Sequence, residues 1–598
     1  MFMKKWRQHL AAILANHTTL VAGLVLGWTS PVLPNMDLTD DEEDWVGSLA
    51  LLGALVGAVP AGCLTDRLGR RRFLLTLCLP FLLGWGLIVA ALWGHRDKII
   101  DVWMLYAGRF ICGLAVGATT VAVPLYTNEI AEDKVRGALG VYLDMMLTTG
   151  ILVVYCLGAA FDTLVLSAIC CAACPLLALA FFFMPESPTY LLACGKPEKS
   201  ERALRWLRGK QQQEQQHRPR PQPWQPWPQP RPQPRAQAEA LLRRVALQLQ
   251  LQLAAEGLLP GPAGAAGPAQ AHPAVVSKVR REDDTEIQLE LARIRSIVEN
   301  STSPSSKHGQ ANGHPNGGPA ANVLLSDKGA AEAEAGGGVG LQASPAPPAP
   351  ATGVKPALKK MLDHVTCRTP TGKAFFIVMG LMTFMQLSGI DAVIFYLGEI
   401  FQDAGSTMSP LNASIVVGAV QVVANVSSAI AVDRIGRRVL LLLSESLMAA
   451  SLASLALYFH LREDESLKVS ENYGWVPVVA LSVFVWVFAF GIGSLPWFMM
   501  AELLPTEAQD WGSSSAICLN WSLGFLVTNV FGSMVRDMGS AATYGVFCTI
   551  CVIGTLFMAF LVPETKGRSP DEIQRLLEQP SRCLGTRSNV NKDKTSKV

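Results

Sequence analysis

This 598-residue chain has little charge: 16% of its residues are Asp, Glu, Lys or Arg, against 50% that are hydrophobic. Charge this scarce, set between apolar blocks of about 20 residues, excludes a water-facing globule and fits lipid as the solvent. A formal net charge of +2 leaves no basic excess for nucleic acid. Signatures of catalysis are missing too. There is no His-Glu-x-x-His, Thr369 to Lys373 lacks the first glycine of a phosphate loop, and no Ser, His and Asp gather near one interface. No cofactor or metal is expected, and no enzyme. The thirteen cysteines do not form a disulfide framework, because most, including Cys63, Cys78, Cys112, Cys170, Cys171, Cys518 and Cys548, lie inside apolar runs. Cys171 with Cys174 and Cys548 with Cys551 have redox or metal spacing, but they sit mid-run without charged or His neighbours and read as packing residues.

What the chain has is apolar blocks. They centre near Val25, Leu55, Leu83, Gly113, Leu152 and Leu177, and again near Phe384, Val422, Leu452, Phe488, Leu523 and Leu556, which predicts twelve spans in two sets of six. The basic start, Met1 to Arg7, resembles a secretory signal, but the apolar run continues to about Leu33 without a small-residue cleavage site, so a retained first span is expected. Lys4, Lys5, Arg7, Arg67 to Arg72, Lys134, Arg136, Arg434 to Arg438, Lys566 and Arg568 fall on one side. The acids Asp37, Asp40 to Asp44 and Glu463 to Glu465 fall on the other. Both termini are therefore expected in the cytoplasm. The division follows as 1–184, a six-helix bundle; 185–372, a cytoplasmic linker; 373–563, a second bundle; and 564–598, a tail. Within the linker, Lys196 to Lys210 and Glu286 to Val298 read as short helices, with Ala236 to Ala255 as another candidate. Gln211 to Arg235 reads as extended polyproline-like chain, and Leu258 to Ala274 and Ser301 to Pro356 are too poor in large apolar groups to pack. Trp224 and Trp227 among prolines could dock a partner module, but unstructured chain is the reading preferred.

The two sets of spans repeat. Asp66-Arg67-Leu68-Gly69-Arg70-Arg71 returns as Asp433-Arg434-Ile435-Gly436-Arg437-Arg438. Pro124-Leu125-Tyr126 with Glu129 and Arg136 returns as Pro496-Trp497-Phe498 with Glu502, and Pro185-Glu186-Ser187-Pro188 returns as Pro563-Glu564-Thr565-Lys566. All sit at span ends, where arginine and glutamate can pair without entering hydrocarbon. If Arg70 and Arg437 meet Glu129, Glu186, Glu502 or Glu564, the pairs latch the cytoplasmic ends together.

With Gly108-Arg109-Phe110, Gln386-Leu387-Ser388-Gly389 and Lys566-Gly567 added in the same order, the chain resembles the sugar porters of the major facilitator superfamily. Leu26 to Pro31 and Phe395-Tyr396 make it similar to the facilitated trehalose transporters of insects within that family. The resemblance implies an all-α membrane protein of the major facilitator fold, in two pseudo-symmetric six-helix bundles. It implies gating residues at Asp66, Arg67, Arg70, Arg109, Glu129, Arg136, Glu186, Asp433, Arg434, Arg437, Glu502 and Glu564. The implied function is facilitative transport of trehalose or a hexose across the plasma membrane by alternating access.

A sugar presents hydroxyls and apolar ring faces, so its site needs amide or carboxyl groups and an aromatic plane near the membrane midplane. Asp144, Gln386, Asp391, Gln421, Asn520 and Trp497 supply these, and by resemblance they line the sugar cavity. Gln386 and Asp391 would point about 140° apart on an ideal helix, so Gly389 has to loosen it. Gly491, Gly493 and Pro496 predict a broken tenth span. Against the family pattern, Asp144 replaces Gln, Met385 replaces the first Gln of a pair, Asp391 replaces Asn, and Gln509 replaces a basic residue. Two carboxyls at mid-membrane are costly when charged. Protonated, they donate to sugar hydroxyls; titrating, they make a proton-coupled symporter the alternative. Thr29, where proton-coupled relatives carry an acid, favours facilitation. A non-transporting sugar receptor with the long insertions as its output is the rival of another class. Expected partners are the sugar and membrane lipid.

Overall fold

A computed structural model describes residues 2–93, 98–132, 135–209, 287–296, 369–406, 408–463, 469–505, 507–566, 568 and 570–578. Among the described residues there are helices and no strand. Eleven segments of the described residues are long and apolar enough to cross a membrane. In the first half they are Lys5–Asn35, Asp40–Leu68, Arg70–Trp93, Val102–Ile130, Leu139–Ala160 and Thr163–Phe181, hereafter spans 1 to 6. In the second half Pro370–Ala404, Pro410–Ser428, Arg437–Arg462 and Val476–Leu503 are spans 7 to 10. The last, Trp511–Leu561, has 51 residues, too many for one crossing of about 30 Å.

That segment breaks at Gly539, where φ is 83° and ψ is 158°. Phe531 and Phe547 would stand about 24 Å apart on one straight helix, yet their rings lie 6.3 Å apart. The chain folds back there, and its two arms are spans 11 and 12. Nearly the same backbone geometry joins span 2 to span 3 at Gly69 (φ 94°, ψ 149°) and span 8 to span 9 at Gly436 (φ 108°, ψ 149°). Residues with a Cβ rarely adopt it, which is why the repeated Asp-Arg-x-Gly-Arg-Arg turns carry glycine. The protein is thus a multi-pass membrane protein of two six-helix bundles.

Where spans approach closely, small residues make it possible. A Cβ on Gly53 or Gly113 would meet the opposing backbone of spans 4 and 2 at 2.2 Å. Several spans are interrupted. Span 1 is interrupted at Trp28, span 7 at Gly389 and span 10 at Gly491, between the helices Val476–Phe490 and Leu495–Leu503. The break in span 10 frees backbone groups, and Ser444 of span 9 takes up two of them. Its hydroxyl donates to the Val487 carbonyl at 2.6 Å and accepts from the Ile492 N–H at 3.2 Å.

One end of the bundle carries the arginine-rich turns and is called here the basic end. Four short helices lie there: Pro188–Ala193, Pro197–Leu207, 287–296 and Pro570–Glu578. The second and third are the helices expected over Lys196 to Lys210 and Glu286 to Val298. Ser187 caps the first by accepting from the Tyr190 N–H. The stretches Gln211 to Arg235, Ala236 to Ala255, Leu258 to Ala274 and Ser301 to Pro356, with Trp224 and Trp227, lie outside the described residues.

Candidate functional site

Gly389 adopts a left-handed conformation, φ 87°, and ends one helix as the next begins. The turn brings Gln386 and Asp391 to one side. A Cβ on Gly524 of span 11 would lie 2.7 Å from Asp391 Oδ2, 3.5 Å from Gln386 Nε2 and 3.6 Å from Leu51 Cδ1 of span 2. The bare backbone at Gly524 therefore makes room for an amide and a carboxyl where the first half meets the second. Asn520 stands one turn earlier on the same helix. Gln386 Oε1, Asp391 Oδ2 and Asn520 Oδ1 are buried with no hydrogen-bond partner among the described residues. A buried acceptor without a donor costs about 1–3 kcal/mol, so this cluster holds unspent capacity for hydroxyl groups.

The remaining candidates occupy other walls. Gln421 is buried on span 8 and Asp144 half-buried on span 5. Those spans meet through Asn425, whose amide donates to Thr148 Oγ1 at 3.0 Å and to the Asp144 carbonyl at 3.4 Å. Trp497 is half-buried two residues into the second helix of span 10. Sequence reasoning passed over Gly524. The spacing of four from Asn520 to Gly524, one helical face, was the available signal.

Arg109 lies fully buried on span 4. Grouped by resemblance with the salt-bridge residues, it bonds carbonyls instead: Val25 at 2.6 Å, Val46 at 3.0 Å and Gly47 at 3.5 Å. Its guanidinium also sits 5.5 Å from the Trp28 ring. Carbonyls take the donors because span 1 offers no acid here; the Thr29 hydroxyl donates to the Phe395 carbonyl at 3.1 Å.

At the basic end the repeated charges pair inside each bundle. Arg70 lies 2.9 Å from Glu129 and 3.1 Å from Asp66, and Ser187 also donates to Glu129. Arg437 lies 3.3 Å from Glu502. The latch expected between the bundles is thus, in this structure, a brace within each. Of the four acids named for the two arginines, Glu129 and Glu502 are the ones they meet among the described residues, and Glu186 and Glu564 cap helices. Glu186 accepts from the Arg71 N–H at 2.8 Å, and Glu564 from the Arg437 and Arg438 N–H groups at 3.0 and 3.2 Å. These amides open spans 3 and 9, where a helix leaves donors unpaired and favours negative charge. Arg67 is exposed. The side chains of Arg136, Asp433 and Arg434 lie outside the described residues. Beyond span 4, Glu132 bonds Lys5 and Gln8 and lies 3.4 Å from Arg208. Burial raises its carboxyl, but Lys5 and Arg208 together outweigh that and hold it below the ordinary value.

The opposite, acidic end is where the bundles clasp. Gly398 N–H donates to Ser30 Oγ at 3.1 Å, Tyr155 OH to the Ile394 carbonyl at 2.8 Å, and Asn529 Nδ2 to Ser48 Oγ at 3.0 Å. Tyr396 reaches the Thr528 carbonyl at 3.4 Å, with its hydroxyl 2.6 Å from where a Cβ on Gly47 would stand. Outermost, Arg536 of span 11 lies 2.6 Å from Asp44 and 3.6 Å from Asp40 of span 2.

Comparison with known proteins bears on this arrangement. The sugar (and other) transporter family model matches residues 28–220 and 354–577. The chain is 29% identical to "Facilitated trehalose transporter Tret1" of Bombyx mori, across 96% of this chain and 88% of that protein. To the protein of the same name from Apis mellifera ligustica it is 28% identical, across 98% and 91%. Among solved structures, the xylose transporter XylE from E. coli in an inward open conformation aligns with a TM-score of 0.60 at 18% identity, covering 96% of this chain and 99% of that one. The partially occluded inward open form gives 0.59 at 19%, covering 95% and 99%. The fold is shared with XylE, and with the family model matched in both halves, this chain belongs to the sugar (and other) transporter family and is a carrier of the major facilitator fold, not an enzyme.

Proposed function

We propose that the chain is a facilitative carrier for trehalose or a hexose, working by alternating access across the plasma membrane. The observation that carries this reading is the set of partnerless buried oxygens on Gln386, Asp391 and Asn520, gathered where the two halves meet. Sugar hydroxyls would donate to them, and Trp497 would offer its plane to a ring face. Asp144 and Gln421 complete the binding set from spans 5 and 8. A polar site between two repeated halves is what a rocking carrier needs. Relatives named for trehalose support that substrate class.

The basic end and both termini face the cytoplasm in this reading, following the Lys and Arg asymmetry. The clasped acidic end is then extracellular, so the state described here faces inward. The division at 1–184, 185–372, 373–563 and 564–598 follows the same repeat. A second reading, proton symport through Asp144 and Asp391, draws on the neighbour titled a proton:xylose symporter. Arg109 weighs against it, because its donors are taken up by carbonyls with no acid on span 1 to exchange.

Uptake of labelled trehalose and glucose by oocytes expressing the chain tests the proposal. Uptake of at least one sugar is expected, with Trp497→Ala reducing it at least about tenfold at equal surface amount. Surface-expressed protein that moves neither sugar would contradict the reading. Uptake that collapses when a proton gradient is dissipated, at unchanged sugar gradient, would establish symport instead.

A further inference from the structure

The charges at the acidic end are unevenly shared between the halves. Span 2 opens with Asp40, Asp41, Glu42, Glu43 and Asp44 in its first turn and a half. Span 7, from the other half, brings Glu399 and Asp403 to the same place; Glu399 faces Glu43, Asp44, Asp403 and Arg536. Arg462 of span 9 stands beside Asp403. Among the described residues, Arg536 is the cation that faces acids of both halves. Asp44 is only 7% exposed and Arg536 35%. Asp44 is also held by Ser533, and it packs on the bare backbone of Gly532, where a Cβ would fall 2.1 Å from Asp44 Oδ1.

We propose that Asp44 and Arg536 are the gating pair of the extracellular side, closing over the Tyr396–Thr528 contact and setting how often the carrier opens outward. The proposal rests on the alternating-access reading and adds residues that reading did not contain. The pair crosses from one bundle to the other, so it must part whenever the acidic end opens. Its charge arithmetic gives an order. Neutralising Arg536 leaves Glu43 and Asp44 facing Glu399 without the cation between them, while Asp403 keeps Arg462, and the seam loosens. Neutralising Asp44 leaves Arg536 with Asp40, so the seam loosens less. Thr528, two helical turns below Arg536, about 12 Å along span 11, is buried under the pair and becomes wet only when the gate opens.

The test uses the full chain carrying Thr528→Cys, labelled from outside intact cells by a membrane-impermeant maleimide without sugar, with the parent lacking that cysteine as background. Arg536→Lys should label as slowly as the Thr528→Cys parent, Asp44→Asn faster, Arg536→Gln at least about fivefold faster, and Arg536→Glu fastest. Gln and Glu have the same shape, so a packing role would make those two equal, and that equality would overturn the proposal. Unchanged labelling in Arg536→Gln and Asp44→Asn would overturn it as well. The labelling needs no sugar. A carrier that takes up sugar but shows no labelling shift defeats the gate alone, whereas a labelling shift in a protein that moves no sugar keeps the gate and defeats the substrate reading.

Discussion

The two ends of the molecule use the same residue types for different work. At the basic end Arg70 pairs with Glu129 and Arg437 with Glu502, each inside its own bundle. At the acidic end Arg536 pairs with Asp44 across the seam, beside four hydrogen bonds that also cross it, from Thr29, Gly398, Tyr155 and Asn529. The first arrangement makes each bundle a stiff body. The second sets how the two bodies lean on each other. An ion pair's function in this fold is therefore read from which halves its partners belong to, and not from its distance.

That contrast predicts different readouts for similar substitutions. The largest effect on stability should come from Arg70→Gln. Both partners of that pair are 12% exposed, so removing one strands a buried charge, worth about 3–5 kcal/mol, seen as a fall in melting temperature of the purified carrier. Gly389→Ala comes next. It forces a side chain into a positive φ and toward the Phe547 ring 3.1 Å away, and should cost about 1–2 kcal/mol and most of the sugar uptake, because Gln386 and Asp391 separate. Arg437→Gln should cost less than Arg70→Gln, about 1 kcal/mol, because Glu502 is 31% exposed and water relieves it. Arg536→Gln strands Asp44, but the seam can open and let water reach that carboxyl, so it should lower the melting temperature less than Arg70→Gln while shifting outward exposure most of the three. A stability loss matching that of Arg70→Gln would break the contrast.

The smallest effect concerns pH. Glu132 is held below its ordinary value of 4.5, so its contribution is present above that pH and drains as pH falls below it. The melting-temperature gap between the native chain and Glu132→Gln should be full at about pH 6 and narrow towards about pH 4. A gap that widened on acidification would reverse the sign of the argument.

Much of the fold was legible in the chain because its signals are long or repeated. Apolar blocks give twelve spans, and the glycine in each Asp-Arg-x-Gly-Arg-Arg turn marks a positive φ that the structure has at both Gly69 and Gly436. The kink at Gly389 could be read from the mismatch between Gln386 and Asp391 on an unbroken helix. Partner choice could not be read. Asp44 is one of five consecutive acids, and Arg536 stands next to Asp537 near the end of span 11 with no repeated counterpart, so nothing along the chain says which acid it meets. Glu186 and Glu564 looked like side-chain partners because a carboxylate that accepts from backbone N–H groups leaves no mark on the sequence of the helix that donates them. Arg109 misled for a related reason: carbonyls are present at every position and carry no sequence signal.

The central claim is that the acidic end is closed by contacts between halves that must separate for sugar to cross. Ser48 and Asn529, hydrogen-bonded across that seam at 3.0 Å, offer the direct measurement. Both are replaced by cysteine, joined with a short bifunctional thiol reagent, and sugar uptake is compared before and after joining, with each single-cysteine chain as control. Uptake should fall to background in the joined double variant and persist in the singles. Undiminished uptake through a fully joined seam would contradict the account.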